Sequence, residues 1–344
     1  MDTTLYMPAE WHRQWAVQLT WPHEATDWLP YLDDITETFL SLAEAITRHE
    51  RLIIVTPHRE TVRTLLSRRL PAGAMERVVW CECPTDDTWA RDHGAITLLS
   101  RDADPAETRL LDFRFNGWGM KFPASHDNAI NRALASQGIF HAPLVSHDDF
   151  VLEGGSIESD GSGTIFTTSM CLLAPHRNQP LNQDEITEQL ITRLHARRVV
   201  WLDHGSLVGD DTDGHIDTIV RCAPGDTLVY VGCDDTADPQ YEDFMALEHQ
   251  LQSLRTIDGQ PYRLLRLPMP AAIYDDGDRL PATYANYLVV NGAVLVPTYS
   301  QPDLDAEALR IVSQAYPDRE VVAIDCRAVI RQHGSLHCCT MQYY

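Results

Sequence analysis

Four times along this chain the same order of elements returns: two strand-like runs joined by a tight turn, a helix-period segment, then one more buried strand. The turns fall at Asp102–Pro105, Asp160-Gly161-Ser162-Gly163, Pro224-Gly225-Asp226 and Asn291-Gly292. They recur about every 60 residues, longer than common solenoid repeats but the same kind of signal. Asn-Gly between apolar runs is the strongest short hairpin signal among them. The first unit is expected to place strands at Ala95–Leu99 and Arg109–Phe115, a helix near Ser125–Ser136 and a strand near Ile139–Val145. The second takes Gly155–Glu158, Thr164–Thr168, a helix at Asp184–Arg197 and Arg198–Leu202. The third takes Asp217–Cys222, Thr227–Gly232, a helix near Tyr241–Leu254 and Tyr262–Leu267. The fourth takes Tyr287–Val290, Ala293–Pro297, a helix at Leu304–Tyr316 and Val321–Ile324.

Three elements are left at the start: a strand at Trp15–Thr20, a helix at Tyr31–His49 and a strand at Leu52–Thr56. One strand is left at the end, Leu336–Gln342. If these two end strands pair, they supply a fifth hairpin equivalent, close a ring and remove the open edge. The expected fold is therefore α/β, a pseudo-symmetric ring of five modules, with residues 1–344 as a single domain.

Composition narrows the partners. The formal charge of −23 disfavours nucleic acid, which needs a basic face. An acidic field draws in a small cation, although solubility alone accounts for the charge equally well. The 8 cysteines form no CxxC pair, which fits free thiols in a reducing setting. Met1 to Glu10 lacks the basic and apolar regions of a signal peptide, and no run of about 18 apolar residues is present to span a membrane. These features predict a cytoplasmic protein without a membrane partner; a homo-oligomer is allowed.

Chemically capable residues fall just ahead of the hairpins. Asp92 precedes the first, Glu153 the second, His215 and Asp217 stand at the third, and His337-Cys338 lies in the closing strand. In a pseudo-symmetric ring, equivalent positions meet around the axis, so a thiol, a histidine and three carboxylates would share one pocket. Each residue also has a plainer account. Asp92 beside Arg91 suits an ion pair, Glu153 a loop acid, His215 a core histidine and Cys338 a small buried hydrophobe. Period-two spacing would put His215 and Asp217 on one face of a strand, suiting acid–base work or metal binding. No second histidine stands at a metal-ligand spacing such as HExxH, so no metal is expected.

Several motifs together resemble the agmatine deiminases and the related bacterial-type peptidyl-arginine deiminases of the guanidine-modifying, pentein-fold superfamily. They are Met7-Pro8-Ala9-Glu10-Trp11 with Trp21-Pro22-His23, Trp89-Ala90-Arg91-Asp92, Phe115-Asn116-Gly117-Trp118-Gly119, Leu152-Glu153-Gly154-Gly155-Ser156, Asp211 through Asp217, Tyr284-Ala285-Asn286-Tyr287 and His337 through Gln342. The resemblance runs essentially end to end. It implies a five-bladed α/β propeller, with Cys338 as nucleophile, His215 as acid/base, Asp92 and Asp217 gripping a guanidinium, and Glu153 supporting the site.

By the same resemblance no cofactor is needed, and the partner is a small cationic guanidino substrate, agmatine first. Asp211 is the candidate for the far ammonium, and Trp89 for packing the methylene chain or a cation–π contact. Free or peptidyl arginine, then amidinotransfer, are the alternatives; a non-catalytic binding ring and a metal-dependent hydrolase are the readings from other classes. The chain departs from the agmatine deiminase pattern at His93, at His333-Gly334-Ser335-Leu336 and at Met341-Gln342, which bears on the substrate's tail. Strand alternation would aim Cys338 at the axis and Cys339 away from it, with no disulfide between them.

Overall fold

The structure is a computed structural model and describes residues 5–101 and 107–344. The turn expected at Asp102–Pro105 lies outside the described residues. The fold is mixed α/β. Five sheets repeat one plan, an antiparallel strand pair with a third strand added in parallel. They are separate sheets, not one continuous barrel, and a two-stranded ribbon, Tyr274–Asp275 with Asp278–Arg279, stands beside them.

The pairing of the chain's ends is present. Thr340–Tyr343 runs antiparallel to Ala16–Thr20, with Thr340 opposite Leu19 and Tyr343 opposite Ala16. Ala16–Thr20 is in turn parallel to Arg51–Thr56. This sheet gains an outer strand, Val78–Glu82, that the repeat did not foresee; the helix Arg59–Arg69 leads towards it. The helix before Arg51 is Leu32–His49, whose Ile35, Phe39, Leu42 and Ile46 are all buried, one apolar stripe at helical spacing. Asp33 and Asp34 in its first turn and Arg48 and His49 in its last suit the helix dipole. Helix Gln183–Arg193 starts at a capping box of Asn182 with Glu185.

Several expected boundaries move. The helices are Ile130–Ser136, Gln183–Arg193, Tyr241–Ser253 and Pro302–Ala315, and the strand expected near Ile139–Val145 is Leu144–Val151. The larger correction concerns the functional segments. Asp217 is in a single 3-10 turn, Ile216–Thr218, ahead of strand Val220–Ala223. Cys338 is in another, His337–Cys339, ahead of Thr340–Tyr343. A third, Gly154–Ser156, follows Glu153. Each is closed the same way: a hydroxyl donates to the carbonyl three residues back, Ser156 to Glu153 (2.6 Å), Thr218 to His215 (2.7 Å) and Thr340 to His337 (2.8 Å). A local side-chain bond of this kind competes with extended pairing and turns the chain. The period-two arguments made for His215 with Asp217, and for Cys338 with Cys339, therefore do not apply.

Candidate active site

These turns touch one another. The short helix Ala90–His93 contacts Gly154–Ser156 and His337–Cys339, and Gly154–Ser156 contacts Ile216–Thr218. The fourth unit contributes Asn286, just ahead of Leu288–Val290. Its side-chain Oδ1 accepts from the backbone N–H of His337 (2.8 Å) and of Cys338 (3.3 Å), and lies 3.4 Å from Cys338 Sγ. Its Nδ2 donates to the Asp217 carbonyl (3.3 Å). One amide thus ties the thiol's turn to that of Asp217.

Cys338 Sγ is 4.0 Å from Asp217 Oδ2. Burial, then the negative charges of Asp217 and Asp92, push the Cys338 thiol well above its ordinary value. Without a bound cation it is a neutral thiol. Cys339 is fully buried in the apolar core and does not line the cavity that Cys338 lines. Successive residues of a 3-10 turn point about a third of a turn apart, so the two cysteines still diverge.

The two aspartates are held differently. Asp92 Oδ2 accepts from the Trp118 indole N–H (2.9 Å) and Oδ1 from the Gly155 backbone N–H (3.1 Å). Burial, then Asp217 and Glu153, raise its carboxyl well above the usual range against those two donors. Trp118 is held in the left-handed region (φ 54°), uncommon for a bulky residue, and the turn aims its indole at Asp92. A side chain at Gly155 would collide with His215 Nδ1 and Asp92 Oδ1, at 2.6 and 2.9 Å from its Cβ, so only glycine fits.

Asp217 faces His337, whose Nδ1 is 2.7 Å from Asp217 Oδ2 and whose Nε2 is 2.8 Å from Glu10 Oε2. A carboxylate oxygen thus faces each ring nitrogen, and Arg221 Nη2 lies 3.1 Å from the same Nε2. Arg221 completes the chain with Nη2 2.5 Å from Glu10 and Nε 2.5 Å from Glu158. Burial raises Asp217, but the His337 hydrogen bond and charge, with His215 and Arg221, outweigh it and hold the carboxyl below its usual value. Its Oδ1 has no hydrogen-bond partner among the described residues.

His215 is fully buried, with Nδ1 3.6 Å from Asp92 Oδ1, and neither ring nitrogen is hydrogen-bonded among the described residues. Burial pushes its pKa down to about 3, so the ring is neutral in the free site. Glu153 is buried and joined through Oε1 to Arg177 Nε at 2.9 Å, with Oε2 lacking a hydrogen-bond partner among the described residues. Burial raises its carboxyl despite Arg177.

A cavity of about 230 Å³ opens above this group, lined by Cys338, Asp92, Trp89, Trp118 and Phe122, with Asp27, Asp87, Asp211 and His333 among its other walls. Trp89 packs so close to Gly334 that a Cβ there would lie 2.2 Å from the ring. Asp211 has a carboxylate with no partner among the described residues, while its carbonyl accepts from Lys121 Nζ (2.5 Å). A wider groove of about 1040 Å³, near Arg13, Arg48 and Arg77, contains none of these residues.

The structure thus brings Asp92, Glu153, His215, Asp217 and Cys338 together, with Trp89 and Asp211 on the cavity wall. Asp217, His215 and Glu153 are fully buried and are not among the residues lining the cavity. Trp118, Asn286, His337 and Arg177 were given no role from sequence. The first two lie in motifs already noted, and His337 adjoins Cys338.

Solved structures and curated sequences agree on what this arrangement belongs to. A Porphyromonas gingivalis protein provisionally named an arginine deiminase matches with 51% identity and a TM-score of 0.92, covering 98% of each chain. A cysteine-to-serine agmatine deiminase from C. jejuni, solved with substrate bound, matches with 32% identity and a TM-score of 0.89, covering 99% of this chain and 96% of that one. The agmatine deiminase of Pseudomonas aeruginosa is 33% identical over 362 residues, 98% of this chain and 94% of its own. Fold and relatives define a guanidine deiminase, a hydrolase acting on the carbon–nitrogen bonds of linear amidines. Within that class the chain belongs to the Porphyromonas-type peptidyl-arginine deiminase family, whose model matches residues 6–343.

Proposed function

We propose that the protein hydrolyses agmatine to N-carbamoylputrescine and ammonia through a covalent intermediate on Cys338. The observation that carries this reading is the placement of a thiol, two aspartates and a neutral buried histidine at the end of a small cavity with acidic and aromatic walls. The five repeated sheets are taken as blades of a pentein propeller around that point, with residues 1–344 one catalytic domain.

Asp92 and Asp217 accept paired N–H donors from the guanidinium and fix its plane. The incoming cation favours the thiolate, and the Cys338 proton passes to His215. Sulfur attacks the guanidinium carbon, the imidazolium protonates the departing nitrogen, and ammonia leaves. Water then adds to the thiouronium carbon as His215 takes its proton, and the carbon–sulfur bond breaks to release the ureido product and restore the thiol. Glu153, anchored by Arg177 and within 4.8 Å of His215, supports the site. The scheme uses no metal or organic cofactor and fits a cytoplasmic setting.

The choice of agmatine rests on the tail end. Asp27, Asp87 and Asp211 line the cavity together with His333, and burial raises the Asp87 carboxyl to about 6, so Asp27 and Asp211 carry most of the acidic character of that wall. An ammonium is favoured there, whereas the carboxylate of free arginine meets like charges. Trp89 packs the methylene chain. The family and the 51% identical relative support arginine, free or peptidyl, as the second reading. Ammonia release from agmatine, arginine and an arginyl peptide decides between them: faster turnover of either arginine substrate removes agmatine but leaves the class. Asp211→Asn should raise KM for agmatine about fivefold, the scale of a partly exposed ion pair worth about 1 kcal/mol. It should leave KM for an uncharged-tail analogue unchanged.

A further inference from the structure

One buried nucleophile next to this site has no part in the proposed chemistry. Cys171 lies on the short helix Ser169–Leu172, fully buried. Its backbone N–H donates to the Thr168 hydroxyl (3.2 Å), and that hydroxyl donates to the carbonyl of Gly214 (2.6 Å), the residue before His215. The thiol's turn is therefore tied to the segment carrying the histidine. One donor atom each from Cys171, His215 and Glu153 lies within 4.8 Å of the other two. The ring nitrogens of His215 and Oε2 of Glu153 have no hydrogen-bond partner among the described residues.

We propose that Cys171, His215 and Glu153 form an inhibitory zinc site. A thiolate, an imidazole and a carboxylate are the donor types that zinc takes, and three protein ligands leave a fourth tetrahedral position for water. Magnesium and calcium, which prefer oxygen ligands, are selected against by the sulfur and the nitrogen. Glu153 Oε1 stays on Arg177 Nε at 2.9 Å, so the guanidinium orients the carboxylate from the outer shell while Oε2 faces the metal. On ligation Cys171 gives up its proton to solvent and His215 binds through a ring lone pair. The ion enters as the guanidinium carbon must, past Cys338 and Asp92, because that carbon also has to come within reach of His215. Bound zinc occupies the histidine and competes with turnover. Binding stands on the three donors alone; the inhibition rests on the role proposed for His215.

Calorimetric titration of zinc into the metal-free full chain separates the two. In a His58→Ala background, which breaks the second possible ligand group of His23, Glu24 and His58, the otherwise wild-type chain and Cys338→Ala should each bind one ion with the same affinity. Cys171→Ser should bind roughly 100-fold more weakly or worse, since even outer-shell partners are worth about 10–100-fold. Cys171→Ser should also keep near wild-type ammonia release and lose zinc inhibition at concentrations that silence the wild type. If Cys171→Ser fails to fold, cobalt in Cys338→Ala supplies the readout: a thiolate-to-cobalt absorption band is expected. Zinc binding lost in Cys338→Ala, kept in Cys171→Ser, or a cobalt complex without that band overturns the site. Binding that follows the proposal in a protein whose turnover is indifferent to zinc keeps the site and removes the role of His215.

Discussion

Asp92 and Asp217 are two buried aspartates of one centre, yet their surroundings push them in opposite directions. Asp92 receives neutral donors, an indole and a backbone amide, and sits among other carboxylates, so burial wins and its carboxyl is raised. Asp217 receives His337, backed by Glu10 and Arg221, and its carboxyl is lowered. The free site therefore has one carboxyl whose surroundings favour the anion and one whose surroundings resist it until a cation arrives. Two permanent anions so close would repel each other without a ligand. The buried row Asp217, His337, Glu10, Arg221, Glu158 is hydrogen-bonded link by link, which offsets its desolvation.

The largest effect tests the point both aspartates face. Cys338→Ala should lower ammonia release by roughly 10⁴-fold or more, as for removal of a nucleophile, while agmatine still binds, because the grip is made by the aspartates. Loss of binding by calorimetry would place the thiol in the grip and undo the division of labour.

The two supports can then be weighed against each other. His337→Asn removes the partner of Asp217 and should cut kcat/KM about 100-fold, as small misplacements of reacting groups do. Trp118→Phe removes one neutral donor from Asp92 and should cost about tenfold, near the value of a hydrogen bond to a charged acceptor. The split should appear in KM for the His337 variant, where Asp217 loses the partner that favours its anion. Equal losses in both variants, with melting temperatures unchanged, would erase the distinction between the corners.

Much of this was legible before any coordinates. The hairpin–helix–strand repeat placed the sheets, and Asn291-Gly292 marked its turn where the structure has one. What misled was periodicity near the site. Glu153, His215 and His337 each stand three residues before a Ser or Thr whose hydroxyl folds the backbone into a turn, a spacing visible in the sequence but easily taken for strand. Asn286 and Trp118 lay within noted motifs, but their roles depend on contacts 52 and 26 residues away, to Cys338 and Asp92. No local pattern encodes those distances. Glu10 is further still, 327 residues from His337. Its role follows only from the pairing of the chain's ends, because Thr340–Tyr343 on Ala16–Thr20 carries both residues to one place.

The smallest effect is thermodynamic and isolates Asp92. A carboxyl raised on folding binds a proton in the native state that the unfolded chain has released, from its ordinary value near 3.9 up to the raised one. Over that window stability falls as pH rises, and the contribution is gone above the raised value. Asp217 has the opposite sign: its contribution is present above the ordinary value and is lost only as pH falls through its lowered one. Melting temperature followed from pH 4 to pH 8 carries the sum of many groups, so the informative quantity is the difference between wild type and Asp92→Asn. That difference should shift in favour of the variant as pH rises, by a few degrees at most for a chain this long. A guanidinium ligand that the variant cannot hold should restore the wild type at the high-pH end, where an ionised Asp92 is otherwise unpaired. A difference that is flat with pH would mean Asp92 is already ionised in the free protein, and that the two aspartates are alike after all.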